Sequence, residues 1–190
     1  MKQQPQGDVK ELIRTGLFNH GVNFLHGEIN CDNVDNILRW ITFENLEGNR
    51  NHLTLYINST GGDLYDAFAL VDAMRVSHIP IYTVGMGSVM SSALLIFASG
   101  EKGHRFLAPN TGVMCHEFSE EIYGKHHDIR AGLTESDRNG ERMVDILAKA
   151  TGHDAKWVKK ELLNPTDQWF TAEDSIKLGL ADQLFKKIED

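Results

Sequence analysis

Two rhythms of apolar spacing alternate along this chain. The run L-T-L-Y-I at 53–57 is rich in β-formers. Gly61 and Gly62 end it, and from Leu64 onward the apolar positions Leu64, Phe68, Val71 and Met74 advance in helical steps. This reads as strand, glycine turn, helix. The unit is followed by a strand over 79–84 and a helix over 91–98, closed by Gly100. Upstream, residues 9–18 predict a short helix and 23–29 a strand. Residues 31–42 predict a helix with Val34, Ile37, Leu38 and Ile41 on one face, capped by Asp32 or Asn33. Downstream, 105–108 and 112–115 predict short strands. A long amphipathic helix over 128–150 uses Ile129, Leu133, Met143, Ile146 and Leu147, with Gly140 weakening its middle and Gly152 ending it. Asp154 caps a helix running to Leu163. Thr171 with Asp174 resembles a capping box for a last helix that Gly179 ends.

Strands alternating with helices predict an α/β fold with a mainly parallel sheet. No repeat of solenoid length and no internal linker divides the chain. Residues 1–16 read as an N-terminal arm, its first part (1–8) Gln-rich with Pro5 and Gly7, and 17–190 as a single domain.

Composition narrows the classes. The 190 residues suit one domain with a substantial core. A net charge of −8 and the lack of a basic patch argue against nucleic acid as a partner. The longest strongly apolar run, 93–98, is far too short for a bilayer, and the start of the chain lacks an apolar signal core. Cys31 and Cys115 are too few for a disulfide framework, which fits a reducing compartment; the expected location is cytoplasmic.

Helix N-termini and strand ends gather at one edge of such a sheet. Two glycine-marked junctions point there: S-T-G-G at 59–62, and 85–92, which ends in Ser91-Ser92. Adjacent glycines leave backbone amides unobstructed, and a helix N-terminus adds free N–H groups and a positive field, the ingredients of an oxyanion hole. Ser91 would supply a hydroxyl, although a serine at a helix start is ordinarily just a cap. A nucleophilic serine needs an imidazole, and the imidazole an orienting acid. Of nine histidines, His116 stands out because it ends the apolar run V-M-C, whereas His20, His104, His126 and His127 sit in polar neighbourhoods. The residues alone leave the acid open among Asp63, Asp128, Asp154, Asp167 and Asp174. Adjacent His126 and His127 point to different sides of a helix and make a poor metal pair, and no GxxxxGK[ST] follows the Gly-Gly turn.

Taken in order, L-Y-I-N-S-T-G-G, M-G-S-V-M-S-S-A-L-L, P-N-T-G-V-M-C-H and T-A-E-D-S-I-K-L-G-L-A-D resemble the signature segments of the proteolytic subunit of the Clp protease, ClpP, over about residues 17–184. The resemblance implies a ClpP/crotonase-like fold of sheet and helix repeats with a protruding handle at about 117–150. Carried over, the nucleophile falls on Ser91, the catalytic histidine on His116 and the orienting aspartate on Asp167. The oxyanion-hole amides fall on Gly61 and Ser92, and the side chain of Ser92 is assigned no role. Thr60 replaces the family's proline before Gly-Gly, and Glu117-Phe118 its Gln-Pro after the histidine. The spacing between Gly152 and Asp167 is longer than usual, and Asn164-Pro165-Thr166 stands where relatives carry a charged stretch that joins rings.

The implied activity is that of a serine endopeptidase hydrolysing unfolded proteins and peptides inside a chamber. The implied assembly is a homo-oligomer of heptameric rings stacked as a tetradecamer. The chain itself needs no cofactor or metal; ATP would be used by a partner Clp unfoldase. Tyr56 matches a family aromatic near the site where that partner docks. Two other readings stand beside this one: a catalytically weak or inactive ring scaffold, and a crotonase-like acyl-CoA enzyme, which shares the Gly-Gly turn but needs no Ser–His–Asp set.

Overall fold

The computed structural model describes residues 9–185; residues 1–8 of the expected arm lie outside that range. The remainder of that arm, 9–16, is helical and opens α1 (Val9–Asn19). Then follow β1 (Val22–His26), α2 (Cys31–Glu47), β2 (Leu53–Ser59), α3 (Leu64–Val76), β3 (Ile81–Met90), α4 (Ser92–Ala98), β4 (Arg105–Leu107) and β5 (Gly112–Cys115). The chain continues through α5 (His126–Thr151), α6 (Ala155–Glu161), β6 (Gln168–Phe170), α7 (Ala172–Lys177) and β7 (Gln183–Leu184). The fold is the expected mixed α/β class with a mainly parallel sheet. The one antiparallel pair among the described strands is β5–β6.

Strand β3 organises the sheet. Its first half pairs with β4 (Thr83 to Gly85 against Arg105 to Leu107) and its second half with β5 (Ser88 to Met90 against Gly112 to Met114). The strand must bend between the two. Gly85 permits this, because a Cβ there would lie 2.6 Å from Leu107 and 2.7 Å from Val89; Gly87 takes φ +71°, which favours glycine. On the other side the register with β2 shifts between Ile57 and Ser59. Asn58 fills the irregularity, its Oδ1 accepting from the backbone N–H and the hydroxyl of Ser88 at 3.1 and 3.0 Å. The expected strand over 79–84 is therefore longer and carries the chain directly to Ser91.

Helix α4, S-A-L-L-I-F-A, is apolar all round and wholly buried, as that composition requires. It packs between β3, α3 and α5. Behind it lies the buried ion pair of Arg105 and Asp182. The guanidinium makes a two-pronged contact with the carboxylate at 2.8 and 2.6 Å and also donates to the carbonyls of Ala98 and Ala150. One cation thus closes the C-terminal ends of α4 and α5 onto the sheet.

Several boundaries differ from the sequence expectation for local reasons. The strand expected over 23–29 stops at His26, where Gly27 turns with φ +84°. Helix α2 is capped by Asn30, two and three residues before the expected Asp32 or Asn33: its Oδ1 accepts from both of their amides, and Asn33 reciprocates to the Asn30 N–H. Helix α4 ends at Ala98 with Ser99 as its cap, before Gly100. Gly140 sits inside a continuous α5, facing Phe118. Strands β6 and β7 were not expected.

Candidate active site

Ser91 is the hinge between β3 and α4. Its backbone has φ +54° and ψ −129°, and it is the one non-glycine residue with positive φ among those described. A side chain in that region is strained, so the surrounding structure must hold it there. The hold is visible: the Ser91 N–H donates to the Met114 carbonyl at 2.9 Å, continuing the β3–β5 ladder past the end of the strand. The Ser91 side chain makes no helix-capping hydrogen bond. The ordinary reading of a serine at a helix start is thereby excluded, and Oγ is turned to the surface cleft.

The same ladder positions the imidazole. Met90 is in register with Met114, so the residue just past β5 lies beside the residue just past β3. That residue is His116, and its Nε2 is 2.8 Å from Ser91 Oγ. The antiparallel pair then supplies the next rung: Cys115 opposes Gln168, which brings Asp167 opposite His116. Asp167 Oδ1 is 3.5 Å from Nδ1 of the imidazole, and its side chain is 54% exposed. The contact is looser than a hydrogen bond of normal length. The other four acids are engaged elsewhere. Asp63 and Asp154 cap α3 and α6, Asp128 accepts from the Lys125 backbone amide at the start of α5, and Asp174 is bonded to Thr171 and Lys177. Of the other histidines, His104 stacks on Tyr82 at 3.9 Å and His127 pairs with Asp128 at 3.2 Å.

The Gly-Gly turn packs directly against Ser91. Gly61 takes φ +99°, and a Cβ there would lie 2.7 Å from Ser91 Cβ; only glycine allows the approach. The Gly61 N–H donates to Ser59 Oγ at 3.1 Å. The Ser92 N–H occupies the first position of α4, where no intrahelical acceptor exists. The hydroxyl of Ser92, given no role from sequence, proves to be a buried clip: it accepts from the Gly62 N–H at 2.9 Å and donates to the Gly62 carbonyl at 3.1 Å. Sequence reasoning missed this contact and that of Ser59. The available signal was a pair of small hydroxyl residues beside glycines, which does not say which backbone group each will meet.

A cleft of about 400 Å³ opens beside Ser91 and His116. Its walls include Leu64, Tyr65, Phe118, Asn139 and Met143. Cys115, next to His116, faces inward, and burial pushes its thiol up to about 12; it is a core residue. Among the described residues no group of three or more His, Cys, Asp and Glu is placed to hold a metal ion, and no helix is long and apolar enough to cross a membrane.

The fold and this juxtaposition of hydroxyl, imidazole and carboxylate define an α/β protein with a site of serine-hydrolase geometry. The chain matches the Clp protease family model over residues 5–188. It belongs to that family, which is one of serine peptidases.

Proposed function

We propose that the chain is the proteolytic subunit of a Clp-type protease, a serine endopeptidase with Ser91 as nucleophile, His116 as general base and acid, and Asp167 as the orienting carboxylate. The observation that carries this reading is the 2.8 Å separation of Ser91 Oγ and His116 Nε2, at a strained strand-to-helix turn that serves no capping purpose.

In this mechanism His116 takes the hydroxyl proton on Nε2 as Oγ attacks the scissile carbonyl carbon. The tetrahedral oxyanion is met by the Ser92 N–H and by the Gly61 N–H, which exchanges Ser59 Oγ for the charged oxygen. A bond to an oxyanion is stronger than one to a neutral hydroxyl, which favours that exchange. One such donor contributes about 3 kcal/mol of barrier lowering. His116 then hands its proton to the leaving amine, the C–N bond breaks, and an acyl ester on Ser91 remains. Water, deprotonated by the same imidazole, attacks the ester carbonyl; the bond to Ser91 Oγ breaks, His116 returns its proton to that oxygen, and the carboxylic acid product leaves. Asp167 holds the proton on Nδ1, keeping Nε2 free to accept, and stabilises the imidazolium.

Substrate would lie extended between 62–64 and 117–119, adding as a strand. The single chain leaves Val9, Leu12, Ile13, Phe43 and Leu46 exposed. Stacked heptameric rings would cover such surface and enclose the site, with an ATP-driven unfoldase delivering folded substrates in the cytoplasm. On the face that carries Tyr56, its ring stacks on Phe24 at 5.0 Å, a surface suited to such a partner. The decisive experiment is labelling with a fluorophosphonate. Label on the wild-type protein, lost in Ser91→Ala and kept in Ser92→Ala, is the expected result. An assembled wild-type protein that takes no label would overturn the hydrolase reading in favour of the scaffold.

A further inference from the structure

One polar network beside the cleft has no part in the chemistry above. Helix α5 has buried residues only from Asn139 onward; none of its first half, 126–138, is buried. Tyr65, in the first turn of α3, reaches across to it. The phenol donates to Glu135 Oε1 at 3.3 Å and accepts from Asn139 Nδ2 at 3.2 Å. Asn139, 3% exposed, has its other amide atom, Oδ1, engaged by Arg142 Nη1 at 2.5 Å. Glu135 is held by Arg142 at 2.8 Å and Arg138 at 3.2 Å. The Tyr65 ring packs edge-on against Phe68, over which the Arg142 guanidinium sits at 5.9 Å.

Two facts give this network a consequence. Tyr65 and Asn139 line the same cleft as Ser91, together with Met143 one turn further along α5. Tyr65 also lies one residue beyond the loop of Gly61, Gly62 and Asp63, after Leu64. The wall that faces a substrate side chain is therefore built from two helices, and among the described residues the side-chain hydrogen bonds between α3 and α5 run through one phenolic oxygen.

We propose that Tyr65 is a positioning residue for substrate binding: its hydroxyl fixes the α5 wall, Asn139 and Met143, against α3 and so sets the shape of the side-chain cleft beside Ser91. The proposal rests on the hydrolase reading for its substrate, and on geometry alone for the latch. Both polar atoms of the Asn139 amide are satisfied within the protein, so the wall offers the substrate its apolar faces, Leu64, Phe118 and Met143. An apolar residue before the scissile amide fits such a cleft. Contacts along this wall form with bound substrate and persist in the transition state, so loosening it weakens KM and leaves kcat largely intact.

The test uses the full-length chain and Tyr65→Phe, which keeps the ring and removes only the oxygen. Three readouts are compared with wild type: amide hydrogen exchange across 135–143, kcat and KM for a fluorogenic tripeptide amide with leucine before the scissile bond, and the rate of Ser91 phosphonylation by a small fluorophosphonate. Losing hydrogen bonds worth about a factor of 3 to 10 each should raise exchange across 135–143 and KM by that factor. The phosphonylation rate and kcat should stay within about twofold, since the nucleophile and its amides are untouched. Asn139→Ala should reproduce the KM effect, and the double variant should add little to it. Unchanged exchange and unchanged KM would overturn the latch; so would a parallel loss of kcat and phosphonylation, which would place Tyr65 on the nucleophile. If wild type itself fails to react with the fluorophosphonate, the hydrolase reading falls, while the exchange comparison still decides whether Tyr65 holds the wall.

Discussion

Replacing Ser92 by alanine separates the two adjacent serines more sharply than any other change. Ser91 keeps its hydroxyl, its imidazole neighbour and its strained backbone. What disappears is the clip from Ser92 Oγ to the N–H and carbonyl of Gly62, at 2.9 and 3.1 Å. The serine is 2% exposed, but the Gly62 end of the contact is open to solvent, so water replaces the partner there and the loss is a net hydrogen-bond loss, without a buried orphan. Two such bonds amount to about 1–2 kcal/mol. For a chain of this size each kcal/mol moves the thermal midpoint by about 2–4 °C, which gives an expected fall of about 2–8 °C. The kinetic effect follows from the same geometry. The loop freed by the change carries Gly61, whose close approach to Ser91 places the amide assigned to the oxyanion. Blurring that position should forfeit part of what one donor supplies, slowing phosphonylation of Ser91 about tenfold against the 10²–10³ for complete removal of a donor. Differential scanning calorimetry and the second-order rate of fluorophosphonate labelling measure the two halves. If Ser92→Ala leaves both unchanged, the clip is irrelevant. If it abolishes labelling as fully as Ser91→Ala, the assignment of the nucleophile is wrong.

Other consequences are as direct. Ser91→Gly and Ser91→Ala should both abolish labelling, but the glycine variant should be the more stable by about 1 kcal/mol in urea denaturation, because it removes the strain at φ +54°. Burial works against the charge on Asp182, yet the Arg105 guanidinium and the amides of Arg105 and Gly103 outweigh it and hold the carboxyl below its usual range. Its contribution is therefore fully present above the ordinary carboxylate pKa and is lost as pH falls through the depressed native value. Asp182→Asn, which strands a buried guanidinium, should cost about 3–5 kcal/mol near neutrality, and its deficit relative to wild type should shrink in denaturation curves taken below about pH 4. Native protein should take up one equivalent of iodoacetamide, at exposed Cys31; buried Cys115, its thiol pushed up to about 12, should react only in denaturant.

The helices were largely legible because their cues are local. Leu64, Phe68, Val71 and Met74 announce α3 by spacing, and Gly152 in the left-handed conformation ends α5 where expected. The family, too, was legible from four ordered segments. Strands β6 and β7, of three and two residues, were not, because strands that short exist only through their partners. β6 is made by β5, and β7 by β4 together with the Arg105–Asp182 pair. The site was half legible for the same reason. Ser91 and Gly61 sit at glycine-marked junctions visible in the chain. Physics alone gave no reason to choose Asp167 among five acids, because its place opposite His116 is a matter of antiparallel register across a strand that the sequence pattern does not show.

That register leaves Asp167 dependent on the loop that carries it, and on one side chain in particular. Asn164 Oδ1 accepts from the Thr166 N–H at 3.0 Å, the Thr166 hydroxyl at 2.8 Å and Gln168 Nε2 at 2.9 Å. The residues on both sides of Asp167 are thus gathered onto Asn164, while Asp167 itself is left to reach His116 at 3.5 Å. At that separation a carboxylate and an imidazolium attract by about 1 kcal/mol in water and about 5 kcal/mol at an effective dielectric of 20. Asp167→Asn should accordingly slow acylation by about tenfold where the carboxylate is solvated, and by up to about 3,000-fold where assembly dries the site. Asn164→Ala keeps the charge but releases its position, and should cost about 3–10-fold, the worth of one or two lost hydrogen bonds. Because Asn164 acts only through Asp167, its effect should vanish when introduced into Asp167→Asn, a non-additivity that a double-mutant cycle on the labelling rate measures. Full additivity would show that Asn164 works by another route. A loss near 10⁴-fold for Asp167→Asn in dilute, unassembled protein would show that the carboxylate is not the half-exposed partner that its geometry describes.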